Sequence, residues 1–261
     1  MYPNGYYNYR KHRKDAKQKE VSKLLNLIKE TYHAQNGICG YRSMCDYLRN
    51  TRDIHLSCQT VRKYMNIELG LKSVTRKRKR QYVCKTDPYK VFENLLDRNF
   101  KADMPNSKWC MDFTYIYYGG KKTRYNCTVI DLYSRKVVAS VCGNRIDTQL
   151  AINTVEAALR HCKGQFNGIL HSDRGCQFTS QRFVEYCKSK GITQSMSKSG
   201  CPYDNAPMER YFNTLKTELL YQHKYETEEE LYRAIMKYSY GYYNNIRPHT
   251  YNGGLPPAKV A

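Results

Sequence analysis

No stretch of this 261-residue chain approaches the ~20 consecutive apolar residues that span a bilayer, and its opening segment, MYPNGYYNYRKHRKDAK, lacks the apolar run of a signal peptide. Neither membrane attachment nor export is expected. The eleven cysteines, at 39, 45, 58, 84, 110, 127, 142, 162, 176, 187 and 201, include no Cys-x-x-Cys pair and no Cys/His cluster. Their spacing argues against zinc and against a disulfide framework. Several fall in apolar patterns where Cys acts as a small hydrophobe, and a reduced cytosol is the expected home. Acidic residues are also scarce: 23 Asp and Glu face 44 Lys and Arg, a net charge of +21. That surplus selects a polyanionic partner, nucleic acid or an anionic membrane surface.

The positive charge is uneven. Residues 1–90 hold 21 Lys/Arg against 7 Asp/Glu, and residues 91–261 hold 23 against 16, so two functional regions are expected. In the first, Val21, Leu24, Leu25, Ile28 and Tyr32 recur at helical spacing and stop at Asn36-Gly37, a plausible C-cap. Met44, Tyr47 and Leu48 mark a second helix, and Ser57 can N-cap a third that carries Val61, Tyr64 and Met65. Studded with Arg42, Arg49, Arg52, Arg62 and Lys63, this arrangement fits a helix-turn-helix DNA reader. It fits about equally well a small helical bundle whose basic residues form a solvated face. The run Arg76-Lys77-Arg78-Lys79-Arg80 reads as an extended linker able to track phosphates.

From about residue 107 the pattern turns to strands: Trp109–Ile116, Tyr125–Leu132 and Lys136–Cys142, joined closely enough for an antiparallel meander. A helix over Thr148–Cys162, a buried-type strand Gly168–Leu170, a helix Ser180–Lys190 and a strand Ile192–Ser197 follow. Two helices, Met208–Tyr221 and Thr227–Tyr243, precede a turn-rich tail. The expected fold is a mixed α/β sheet flanked by helices. The boundaries drawn are a basic tail over 1–16, a helix-turn-helix-like domain over 17–72, a basic linker over 73–104 and an α/β core over 105–261.

Three acids stand out in that core. Asp112 sits mid-strand between apolar residues, where an unpartnered charge is costly to bury. Asp173 ends a buried-type strand at its carboxyl end, the edge where open α/β sheets build sites. Glu209 opens a helix after Pro207, where the helix dipole favours an acid in any case. Each alone is ambiguous, but together two strand-associated aspartates and a helical glutamate, the last two separated by 35 residues, can converge on Mg²⁺ or Mn²⁺. A pair of such ions supports phosphodiester chemistry. Asn213 and Lys216 lie on the Glu209 face of the helix; the lysine suits a DNA phosphate, or is a plain exposed helix lysine. Twenty-six tyrosines raise a tyrosine recombinase, with Arg247 and His249 near Tyr243 or Tyr251, but stacking and packing explain the tyrosines more simply.

The stretches MDFTYI, HSDRGCQFTS, GCPYDNAPMERYFNTLKTEL and YYNNIRPH resemble, in order, signature segments of bacterial insertion-sequence transposases with a retroviral-integrase-like DDE core. The subgroup resembled is encoded in two overlapping frames, this chain being similar to the second-frame product over roughly residues 20–261. The resemblance implies an RNase H-like fold, with Asp112, Asp173 and Glu209 as the catalytic, metal-binding triad holding two Mg²⁺ or Mn²⁺ ions. It implies Lys216 as a DNA-contacting residue, with His171, Gly175, Gln177, Tyr203, Asp204 and Asn205 at motif positions flanking the site, beside Asn213 on the Glu209 face of the helix. It further implies metal-dependent cleavage at the 3′ end of an element and strand transfer, in a cytoplasmic, nucleoid-associated setting. The expected partners are double-stranded DNA (terminal inverted repeats and target), the first-frame product, and further copies of the chain on DNA. A stand-alone RNase H-like nuclease and a catalytically idle DNA-binding regulator are the other readings.

Overall fold

A computed structural model describes residues 14–74, 89–120, 122–162 and 166–260. The run Arg76–Arg80 and most of the basic tail lie outside the described residues. The chain divides into two compact units, residues 1–75 and 76–261.

In the first unit, helix α1 (Lys14–Ala34) is followed by α2 (Tyr41–Arg52) and α3 (Cys58–Arg62), which runs on through a wider π turn over Lys63–Glu68. Helix α1 closes as its pattern predicts. Asn36 takes a left-handed φ of 51°, the Gly37 N–H bonds the Tyr32 carbonyl and the Asn36 N–H bonds that of His33. This double closure satisfies the last carbonyls of the helix. Ser57 caps α3, its Oγ accepting from the Thr60 N–H at 3.1 Å. Ile28, Met44, Leu48, Val61 and Met65 are fully buried against one another, and Arg62 and Lys63 are exposed.

The second unit is built on a five-stranded sheet of order β3-β2-β1-β4-β5. Strands β1 (Lys108–Tyr118), β2 (Lys122–Asp131) and β3 (Val137–Gly143) form the antiparallel meander. Strand β4 (Ile169–Ser172) lies parallel to β1, and β5 (Thr193–Met196) parallel to β4. Helix α4 (Thr148–His161) connects β3 to β4, and the single turn α5 (Cys176–Thr179) and α6 (Gln181–Ser189) connect β4 to β5. A 3₁₀ turn (Pro202–Asn205) leads into α7 (Ala206–Leu215), which widens into a π turn over Lys216–Leu220; α8 (Glu228–Met236) widens likewise over Lys237–Tyr243. The fold class is the expected mixed sheet flanked by helices, preceded by a small helical unit.

Alternation along the strands sorts side chains into two cores. Trp109, Met111, Val129 and Leu170 pack with Ala151, Val155 and Phe183 of α4 and α6. Cys110 and Ile130 pack on the other face with Met208, Tyr211, Phe212 and Leu215 of α7, and with Tyr238 and Tyr243. Asp112 shares the phase of Cys110, so it belongs to the α7 face.

The linker expected over 73–104 differs at its C-terminal end. Residues 89–104 are anchored to the second unit: Leu96 is buried in the α7 core, Phe92 packs against the α4 core, and the Met196 N–H bonds the Glu93 carbonyl at 3.2 Å. Their apolar residues find a surface to cover, which the charge-based reading did not weigh. The ten cysteines among the described residues are free thiols, four of them buried. No helix among the described residues is long and apolar enough to cross a membrane.

Candidate active site at the split of the sheet

Strand β1 pairs with β2 along its whole length to Tyr118, but with β4 only over Lys108–Cys110, opposite Ile169–His171. The two parallel strands therefore part after Cys110 and His171. Asp112 and Asp173 each lie two residues beyond that last pair, one continuing along β1, the other leaving the end of β4. The sheet itself sets them side by side across a split whose polar backbone edges are not zipped together.

Local bonds fix both carboxylates. Asp112 Oδ1 accepts from the Phe113 N–H at 2.7 Å, and Asp173 Oδ1 from the Gly175 N–H at 2.9 Å. The second bond makes a tight turn, and a Cβ on Gly175 would come within 2.9 Å of Asp173 Oδ1 and closer still to the Gln177 amide. The glycine is needed for space, not for an unusual φ. The Phe178 and Thr179 N–H groups then bond the Gly175 carbonyl and start α5.

All three acids are half-buried. Burial, followed by the negative charge of Asp173 and with a contribution from Glu209, holds Asp112 well above the ordinary carboxylate range; the Phe113 N–H and the Lys216 ammonium act in the opposite sense. Burial raises Asp173 as well, against the pull of the Gly175 N–H, and burial raises Glu209. The carboxylates are thus close enough to repel, in surroundings that penalise their charge. Lys216, two helical turns after Glu209 and also half-buried, bears electrostatically on the same aspartate. Asn213 is exposed on the same helix. Among the described residues, no three His, Cys, Asp or Glu side chains form a complete metal-binding group. The donor chemistry nevertheless suits oxygen-preferring divalent cations, because carboxylates that repel and resist ionisation are relieved by a cation between them.

His171 does not face this cluster openly. It is fully buried, with Nδ1 2.8 Å from Ser195 Oγ and Nε2 3.1 Å from Ser197 Oγ. Burial pushes its pKa down to about 4, so it is a neutral strut between β4 and β5. Asn205 is buried at the head of α7 and donates from Nδ2 to the Met111 carbonyl at 3.5 Å. Arg62 and Lys63 belong to the other unit.

Sequence reasoning placed Asp204 beside the site but missed the partners that make it a brace. Asp204 accepts from Arg98 Nε at 2.8 Å, Asn94 Nδ2 at 3.0 Å and the Lys198 N–H at 3.0 Å, and the Arg98 bond holds its pKa below the usual range. This clamp ties the loop before α7 to residues 94–98. In the YYNNIRPH segment, Asn244 bonds both the Val137 N–H and carbonyl, at 2.9 and 3.0 Å, and Arg247 forks onto Glu218. Tyr243 is 3% exposed, and burial pushes its phenol up to about 12. Arg247 and Tyr243 are thus occupied in packing.

Residues 102–202 and 190–257 match two family patterns, each described as an integrase core domain, and residues 19–79 match an HTH-like domain. The chain is 33% identical over 240 residues to the transposase for insertion sequence element IS904 of Lactococcus lactis, covering 92% of this chain and 94% of the relative. It is 33% identical over 254 residues to the putative transposase InsK for insertion sequence element IS150 of Escherichia coli, covering 97% and 86%. A simian T-cell lymphotropic virus intasome, solved in complex with a PP2A regulatory subunit, contains a chain of similar fold. The TM-score is 0.51 at 18% identity, over 90% of this chain and 73% of that one.

Proposed function

The chain belongs to the insertion-sequence transposases with an integrase core, and from that membership we propose that Asp112, Asp173 and Glu209 carry metal-dependent DNA cleavage and strand transfer. The observation that supports the proposal is the placement of Asp112 and Asp173, each two residues past the last β1–β4 pair, with Asp173 and Glu209 near enough for their charges to raise the Asp112 pKa. Asp112, Asp173 and Glu209 would hold two Mg²⁺ or Mn²⁺ ions, which when bound supply charge stabilisation to the attacking and leaving oxygens. In cleavage, a water oxygen attacks the phosphorus at the 3′ end of the element; the new P–O bond forms as the P–O3′ bond breaks, and a 3′-hydroxyl is freed. In joining, that hydroxyl attacks a phosphodiester of target DNA, one P–O bond replacing another, so no bond to protein is required.

The chain's own groups position this chemistry. The Phe113 and Gly175 N–H groups orient one oxygen of each aspartate and leave the other available. Lys216, beside Asp112, suits a DNA phosphate as a point charge. Arg62 and Lys63, exposed at the end of α3, and Arg76, Lys77, Arg78, Lys79 and Arg80 supply phosphate contacts on element ends and target. Two ends must be handled together, so the working form is a multimer on DNA, joined by the product of the upstream frame. The setting is the bacterial cytoplasm, at the nucleoid.

A pre-cut element end and target DNA, incubated with the chain and Mg²⁺, test this reading. Covalent joining is expected. Hydrolysis alone would make the protein a nuclease, and neither reaction, even with the upstream-frame partner present, would make it a regulator. Asp112→Asn, Asp173→Asn and Glu209→Gln should each reduce cleavage below detection and leave DNA binding within about twofold; cleavage retained in any one removes that residue from the triad.

A further inference from the structure

Asn205 occupies the position just before α7, where an asparagine side chain ordinarily accepts a hydrogen bond from the first turn of its own helix. Here it makes no such bond. Its Nδ2 reaches across to the Met111 carbonyl. A carbonyl can only accept, so the amide's orientation is fixed and Oδ1 is turned away from that contact. Oδ1 is buried without a hydrogen-bond partner, on a residue only 5% exposed. An unpartnered buried acceptor is unfavourable, and an apolar side chain or a simple cap would have removed the penalty. Two local rules are therefore broken at one residue. That residue lies four positions before Glu209 and is bonded to the neighbour of Asp112, just past the last β1–β4 pair. Departures of this kind, unrepaid by the fold, gather at functional sites.

We infer that Asn205 is a positioning residue for the carboxylate site: Nδ2 fixes the start of α7 against β1, and hence Glu209 against Asp112, while Oδ1 is held ready for an O–H donor present only in the loaded site. This inference rests on the triad reading above. The Asp204 clamp on residues 94–98 holds the preceding loop, and Asn205 adds a hydrogen bond between the head of α7 and the strand that carries Asp112, beside the apolar packing of Met208 and Tyr211 on Cys110.

The test uses the full chain and three measurements: melting temperature in EDTA, Mn²⁺ binding followed by electron paramagnetic resonance without DNA, and Mn²⁺-dependent nicking of supercoiled plasmid. Asn205→Ala should melt close to the wild-type temperature, since it removes both the long Nδ2 bond to Met111 and the unsatisfied Oδ1, which act in opposite senses. It should bind Mn²⁺ about tenfold more weakly and nick at least tenfold more slowly. Asn205→Gln, which keeps donor and acceptor on a longer stem, should recover part of both losses. Wild-type Mn²⁺ affinity and nicking in Asn205→Ala overturn the inference, as does a lowered melting temperature or failure to fold, either of which makes the residue structural. Asp112→Asn, measured alongside, separates the two claims. If it binds Mn²⁺ and nicks normally, the triad reading has failed; if it is inert while Asn205→Ala behaves as wild type, only the positioning role has failed.

Discussion

Asp112 pays for its position in every state that lacks a counter-charge. Its folded-state pKa is raised above the ordinary 3.8, so protonation favours the folded state, and that benefit is lost as pH rises toward neutrality. Removing the charge should therefore help the fold: Asp112→Asn is expected to be more stable than wild type at pH 7 in EDTA, while losing cleavage. Thermal melts of both proteins, with and without Mn²⁺, check this, and the metal should raise the wild-type melting temperature only. His171 works with the opposite sign. Its pKa is depressed to about 4 from 6.5, so its contribution is intact above 6.5 and lost as pH falls through that window. The loss approaches about 3 kcal/mol, at ~1.4 kcal/mol per pKa unit. Urea melts from pH 7 to pH 4 should show a downward slope that is reduced in His171→Asn. At Gly175 the constraint is space. Gly175→Ala forces apart the Asp173 turn and Gln177, and should lower activity by at least about 100-fold, as misplacement by ~1 Å can, in a nicking assay.

Among the elements, α7 matters most, because it supplies Glu209 and Lys216 and covers one face of the sheet. It is held at its head by Asn205 and at its tail by Glu218, which receives the Arg247 fork and the Tyr238 hydroxyl at 2.6 Å. Arg247→Ala would strand a mostly buried carboxylate and should destabilise by about 3–5 kcal/mol, measured by denaturant unfolding; adding Glu218→Gln should restore much of it. The meander, α4 and α6 were legible from periodicity, because side-chain alternation in a strand and apolar spacing in a helix are set within each element. The brace over residues 89–104 and the role of YYNNIRPH were not. Both depend on contacts across about 100 residues, such as Asn94 with Asp204 and Asn244 with Val137, and no local pattern records a partner so distant.

For the whole molecule, electrostatics set the expectation. A chain carrying +21 should bind duplex DNA with affinity that falls steeply as salt rises. Each phosphate contact adds about −0.9 to the slope of log K against log [salt]. Replacing Arg62 and Lys63 with alanine should lessen that slope by about two, in fluorescence anisotropy titrations, and leave the core's Mn²⁺ binding unchanged. The helical unit displays Arg62 and Lys63 at the end of α3, and the sheet unit holds the three acids.

The chain's composition and the phase of its apolar residues determined the class of partner, the two-part organisation and the sheet with its covering helices, because charge excess and side-chain periodicity are local quantities. Three acids in suggestive places were also visible there. What the tertiary structure alone decided is that β1 and β4 separate two residues before Asp112 and Asp173, that His171 is a buried strut, and that Asn205 gives up its helix cap to hold β1. Strand register and burial arise only when distant segments pack, and they convert a set of acids into a candidate site.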